Sequence, residues 1–83
     1  MDHYLFTARS VTHAQQMAGV LSNAGVPVKI RRAGANAQLR GCGYTLELPL
    51  RSYAAARKAL EQAGQNPIRI FSVSGARMTE VLP

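Results

Sequence analysis

A single cysteine in 83 residues leaves no partner for an internal disulfide. Tryptophan is absent, and three tyrosines and two phenylalanines are the only aromatics. No apolar run approaches the ~20 residues that a membrane-spanning helix needs, so no membrane partner is expected. The opening Met1-Asp2-His3-Tyr4 has no basic patch followed by an apolar stretch, so it does not read as a secretory signal. A cytoplasmic, reducing setting is the expectation. His3, His13 and Cys42 fit no metal-ligand spacing, and no glycine-rich phosphate motif follows the first strand. Neither a metal nor a cofactor is therefore expected, and a carrier or binding role is expected ahead of an enzymatic one. A Cys–His pair brought together only in space stays open.

Acidic residues are also scarce. Four Asp and Glu face ten Lys and Arg, for a net charge of +6. Most of the basic residues are scattered from Lys29 to Arg69 without a block, so there is no basic tail. Such a balance bears on partners and not on fold. A chain of this size hides only about 60–65% of the surface its unfolded form exposes, so stability is thin and a homodimer is one expectation.

What is present is ordered punctuation. His3 to Ala8 is β-favouring, with Tyr4 and Phe6 on one face. Ser10 can cap a helix in which Val11, Ala14, Met17, Ala18 and Leu21 share a face, leaving His13 outside; Gly25 ends it. Pro27 to Arg32 reads as a second strand with Val28 and Ile30 inward and Lys29 and Arg31 outward. Residues 33–41 have no period and read as a loop. Tyr44 to Leu48 is a third strand, with Tyr44, Leu46 and Leu48 inward and Thr45 and Glu47 outward. A second helix runs from about Leu50 or Ser52 to Ala63, with Tyr53, Ala56, Leu60 and Ala63 inward, and Gly64 caps it. Pro67 to Val73 is a fourth strand whose Phe71 is the one outward aromatic candidate.

Strand, helix, glycine cap, proline and basic strand thus occur twice. Two βαβ units with right-handed crossovers give an α+β, ferredoxin-like βαββαβ sandwich: a four-stranded antiparallel sheet with both helices on one face. Residues 1–73 form the single domain, and 74–83 a tail that either frays or lies across the open face.

Arg40-Gly41-Cys42-Gly43-Tyr44 carries the chemistry. Free cysteines often fill apolar gaps. Here two glycines flank the sulfur, and Arg31, Arg32 and Arg40 supply the positive charge that favours a thiolate, the reactive form. An accessible thiol at Cys42, with Arg31, Arg32, Arg40, Gly41 and Gly43 as its binding surround, is the favoured reading.

The motifs Tyr4-Leu5-Phe6-Thr7, Ala24-Gly25-Val26-Pro27, Cys42-Gly43 and Leu48-Pro49 make the chain resemble the small bacterial selenium/sulfur carrier-like proteins of the DUF3343 group, from Tyr4 to about Val73. Small hydroxyl residues usually precede the cysteine in that family; Arg40 and Gly41 stand there here. The resemblance implies that Cys42 holds sulfur or selenium as a persulfide or selenopersulfide, taken from a donor protein and passed to an acceptor. Two other classes compete with it. One is a regulatory or interaction module that pairs through the open sheet face. The other, less favoured, is an RNA-binding domain, because nucleic-acid readers of this topology stack bases on exposed strand aromatics and Tyr4, Phe6 and Tyr44 point to the core.

Overall fold

The computed structural model describes residues 2–34, 39 and 43–81. Its elements are β1 (His3–Ala8), α1 (Val11–Asn23), β2 (Lys29–Arg32), β3 (Tyr44–Pro49), a 3-10 turn (Leu50–Ser52), α2 (Tyr53–Gln62), β4 (Ile70–Ser74) and β5 (Arg77–Glu80). The strands form one sheet in the order β2-β3-β1-β4-β5, and every neighbouring pair is antiparallel. Both helices lie on one face. The fold is α+β, with five strands where the sequence led us to expect four.

The two-residue period of β1 and β3 puts Phe6, Ala8, Leu46 and Leu48 on the helix side, where they are buried with Ala14, Met17 and Leu21 of α1 and Ala56 and Leu60 of α2. Each fully buried Leu or Phe contributes about 1.5–3 kcal/mol. Tyr53 at the head of α2 stacks on Tyr4 at 4.4 Å between ring centroids and meets Phe6 edge-on at 6.2 Å. The Arg57 guanidinium lies 6.0 Å from the centre of the Tyr53 ring and donates to its hydroxyl at 3.3 Å.

The caps are those the sequence implies. Ser10 is extended (φ −146°, ψ 169°), and its hydroxyl accepts the His13 N–H. Both helices end alike. Val26 N–H donates to the Leu21 carbonyl and Gln65 N–H to that of Leu60, each at 2.9 Å, around Gly25 and Gly64 at positive φ. The internal echo is therefore geometric at the helix ends, whereas Ser52 makes no cap bond at the start of α2.

Five local differences have physical causes. Val11, expected inward, is 43% exposed in the first turn of α1, and Ile30 is 40% exposed because β2 is an edge strand. Ala63 follows the end of α2 and is exposed. β4 begins at Ile70, three residues later than expected, because its register with β1 breaks. Thr7 N–H donates to the Arg69 carbonyl, yet the Thr7 carbonyl receives the Ile68 N–H rather than that of Arg69. Two residues thus face one, a bulge, and the Thr7 hydroxyl accepts the displaced Arg69 N–H at 2.8 Å. Finally, Arg77–Glu80 adds a strand at the sheet edge through the two-residue loop Gly75-Ala76, with Gly75 at φ 61°.

The face opposite the helices is less open than expected. Thr7 and Thr45, directly opposed in the β1–β3 register, are 0% and 3% exposed, and Phe71 is 1% exposed. Leu39 is buried as well, and neither it nor Phe71 belongs to the helix-side core cluster.

Candidate functional site

Cys42, Arg40 and Gly41 lie outside the described residues. Gly43, Arg31 and Arg32 do not, and they define what surrounds the end of the sheet from which β3 starts. Gly43 is bonded on both sides. Its N–H donates to the Ala8 carbonyl at 3.0 Å, and its carbonyl accepts the Ala33 N–H at 3.2 Å. The β1–β3 register pairs Ala8 with Tyr44, so Gly43 is the extra residue of a second bulge. A side chain here has nowhere to go. A β-carbon on Gly43 would stand 2.9 Å from the Arg9 carbonyl oxygen, a backbone atom that cannot swing away. The glycine of the Cys-Gly pair is thus required by close approach.

The two arginines separate. Arg31 lies on the outer face, where its Nε is 3.3 Å from a Glu47 carboxylate oxygen that also sits 3.8 Å from His3 Nε2. Glu47, outward on β3, neutralises Arg31 as a cross-strand charge pair; from the residue types alone, Lys29 and Arg69 are equally open partners. Arg32 is exposed and opposite Tyr44 in the register, two positions beyond Cys42 in sequence. Of the two, Arg32 is the cation whose charge is not shared with a carboxylate among the described residues.

Two residues missed as neighbours of this end are Arg9 and His13. The His13 ring is half-buried rather than free on a solvent face. Its Nδ1 accepts the Arg9 N–H at 3.2 Å, and its Nε2 lies 3.0 Å from the Asn66 carbonyl. A backbone N–H can only donate and a carbonyl can only accept, so the pattern fits a neutral ring with its proton on Nε2. Arg9 is therefore held through its N–H by His13, while its carbonyl oxygen abuts Gly43. The spacing of Arg9, Ser10 and His13 (a cap three residues apart and a bond four residues apart) was the available signal. A polar groove of about 710 Å³ runs beside them, lined in part by Thr12, Gln16 and Gln65. At the opposite end of the sheet, a more apolar groove of about 530 Å³ has Val28, Leu48 and Leu50 in its walls, with Lys29 and Arg51.

Among the described residues, no group of three His, Cys, Asp or Glu side chains could hold a metal ion. None of the described helices is long and apolar enough to cross a membrane. The outward aromatic candidate, Phe71, lies on the outer face but is buried, so it offers no stacking surface in this conformation. Fold and site together define a small α+β protein with an antiparallel sheet whose one cysteine precedes a clamped glycine. Comparison of the chain with protein-family models, with curated proteins and with solved structures found no match.

Proposed function

We propose that this chain is a ferredoxin-like carrier that holds a sulfur or selenium atom on Cys42. The strand order β2-β3-β1-β4, before β5 is added, supports the ferredoxin-like reading. The observation that carries the functional reading is the seat of Gly43. The residue that follows the thiol is fixed by backbone bonds to Ala8 and Ala33 and admits no side chain against Arg9. The Cys-Gly pair that carries the family resemblance is thus one whose glycine has a steric reason.

The transfer is a pair of displacements. The Cys42 thiolate attacks the terminal sulfur of a persulfide on a donor protein; a new S–S bond forms, the donor's S–S bond breaks, and the donor thiolate leaves. An acceptor nucleophile then attacks the terminal sulfur on Cys42, and the Cys42 thiolate leaves with the electron pair. The selenium case differs only in the atom moved. A free thiol is only a few per cent ionised at neutral pH, and Arg32 supplies the positive charge that favours the ionised form. The second step requires an external acceptor, because the chain has no other cysteine to resolve the persulfide.

Intact mass after incubation with a cysteine desulfurase and cysteine tests this. Wild type is expected to add the mass of one sulfur, reversibly by a thiol reductant, and Cys42→Ala to add none. A parallel run with a selenium donor distinguishes the two cargoes. Equal loading of Cys42→Ala, or no loading of a wild-type thiol that is also slow to alkylate, overturns the reading.

A further inference from the structure

The free edge of β2 is the least protected part of the sheet. All four of its residues are exposed, and among the described residues it pairs with β3 alone. Its hydrogen-bonding parity follows from one bond beyond it. Ala33 N–H donates to the Gly43 carbonyl in the same register that pairs Lys29 with Glu47 and Arg31 with Thr45. Bonded and non-bonded pairs alternate in an antiparallel ladder. Lys29 and Arg31 therefore spend their backbone groups on β3, whereas the N–H and C=O of Ile30 and Arg32 point out of the sheet. Both donors and acceptors face outward at strand spacing, next to three cationic side chains and a 40%-exposed isoleucine.

Charge decides what can pair there. A second copy adding β2 to β2 would bring Lys29 and Arg32 against their own kind, with Arg31 paired to Glu47, and like charges across a strand pair are unfavourable. Lysine and arginine on an edge discourage self-pairing in this way. The same charges favour an extended segment rich in Asp or Glu. A nucleic acid would match the charge but not the backbone groups, and the tyrosines that could stack on bases are packed at the core. We propose that the β2 edge is a docking strand for an acidic extended segment of a partner protein, which adds to the sheet beside Ile30 and Arg32. This docking does not use Cys42 and stands apart from the carrier reading.

The test uses the full chain and a fluorescent peptide of about ten residues, a full strand's length, built from Glu, Val and Thr. A Lys-for-Glu version and a single-stranded RNA of similar length serve as controls. Binding is read by anisotropy, and backbone pairing by NMR contacts between peptide and the Ile30 and Arg32 amides. The acidic peptide is expected to bind and the basic one not to. Ile30→Pro removes one outward N–H, a change that edge strands tolerate, and is expected to abolish binding while the remaining amide spectrum is kept. Lys29→Gln with Arg32→Gln is expected to weaken binding about tenfold, the sum of two exposed charge pairs. Binding that survives Ile30→Pro overturns strand addition, as does the absence of amide contacts at Ile30 and Arg32 in wild type, whatever the fold of the variant. No binding of the acidic peptide, or RNA binding at the same residues in its place, overturns the proposal equally.

Discussion

At the scale of single residues, two glycines with the same chemistry have opposite roles. Gly43 is wedged: a β-carbon would meet the Arg9 carbonyl oxygen at 2.9 Å. Gly19, in the exposed middle of α1, would meet nothing within 4 Å and has no positive φ. Gly43→Ala is therefore expected to lower stability by about 1–3 kcal/mol, since the obstacle is backbone and relief means shifting β1 or β3. Gly19→Ala is expected to raise it by about 0.5–1 kcal/mol, because glycine costs that much in a helix. Urea unfolding of the two variants beside wild type gives both signs at once. A neutral Gly43→Ala would mean that the strand entry yields easily, and the steric reason for the Cys-Gly pair would go. The carrier reading of Cys42 rests on chemistry read from the sequence, since Cys42 lies outside the described residues. Alternation already set Arg31 on the same face as Glu47, but it left Lys29 as an equal partner for that carboxylate, and only the 3.3 Å approach of the Arg31 Nε decides between them.

At the scale of elements, alternation and caps made three strands and both helices legible. Each depends on neighbours within a few residues, as with Ser10 and Gly25 for α1. The late start of β4 was not legible, because it depends on a residue 62 positions away. Thr7 takes the Arg69 N–H on its hydroxyl at the bulge, and nothing local to Pro67-Ile68-Arg69 announces this. β5 had one local signal, the turn at Ser74-Gly75-Ala76, but Arg77–Glu80 holds a single apolar residue, Met78, so no alternation marked it as a strand. The burial of Thr7 and Thr45 on the outer face was likewise invisible, because alternation assigns a face and not what covers it. The bulge has a measurable consequence. Thr7→Val keeps the shape of a fully buried side chain but leaves the Arg69 N–H without its acceptor, which is expected to cost about 1–3 kcal/mol. Thr7→Ser keeps the hydroxyl, so its loss is limited to the missing methyl group. Amide exchange at Arg69 reads the difference directly: faster in the valine variant, close to wild type in the serine one. Equal protection in both would mean that the Arg69 amide has another acceptor.

For the whole molecule the governing quantity is charge over a small volume. A net +6 is spread over a body of 30 × 25 × 21 Å. Of the four carboxylates, Asp2, Glu61 and Glu80 are exposed, and Glu47 alone forms ion pairs within 4 Å among the described residues. At about 10 mM salt the screening length is ~30 Å, so every charge feels every other; at 1 M it is ~3 Å and only contacts remain. Two effects then compete. Screening removes self-repulsion among the excess cations, which opposes the compact state. It also weakens the Arg31–Glu47 pair, which is partly solvated and so contributes about 0–1 kcal/mol at most. The repulsion involves many pairs and the attraction few, so the repulsive term should dominate. Raising NaCl from about 10 mM to about 0.5 M is accordingly expected to move the urea midpoint upward. Chloride is the right anion for this, because sulfate would stabilise by exclusion from the surface whatever the charge. A midpoint that falls with NaCl would mean that attractive pairs outweigh the excess, and the basic surface would then be structural rather than a surface held ready for an anionic partner.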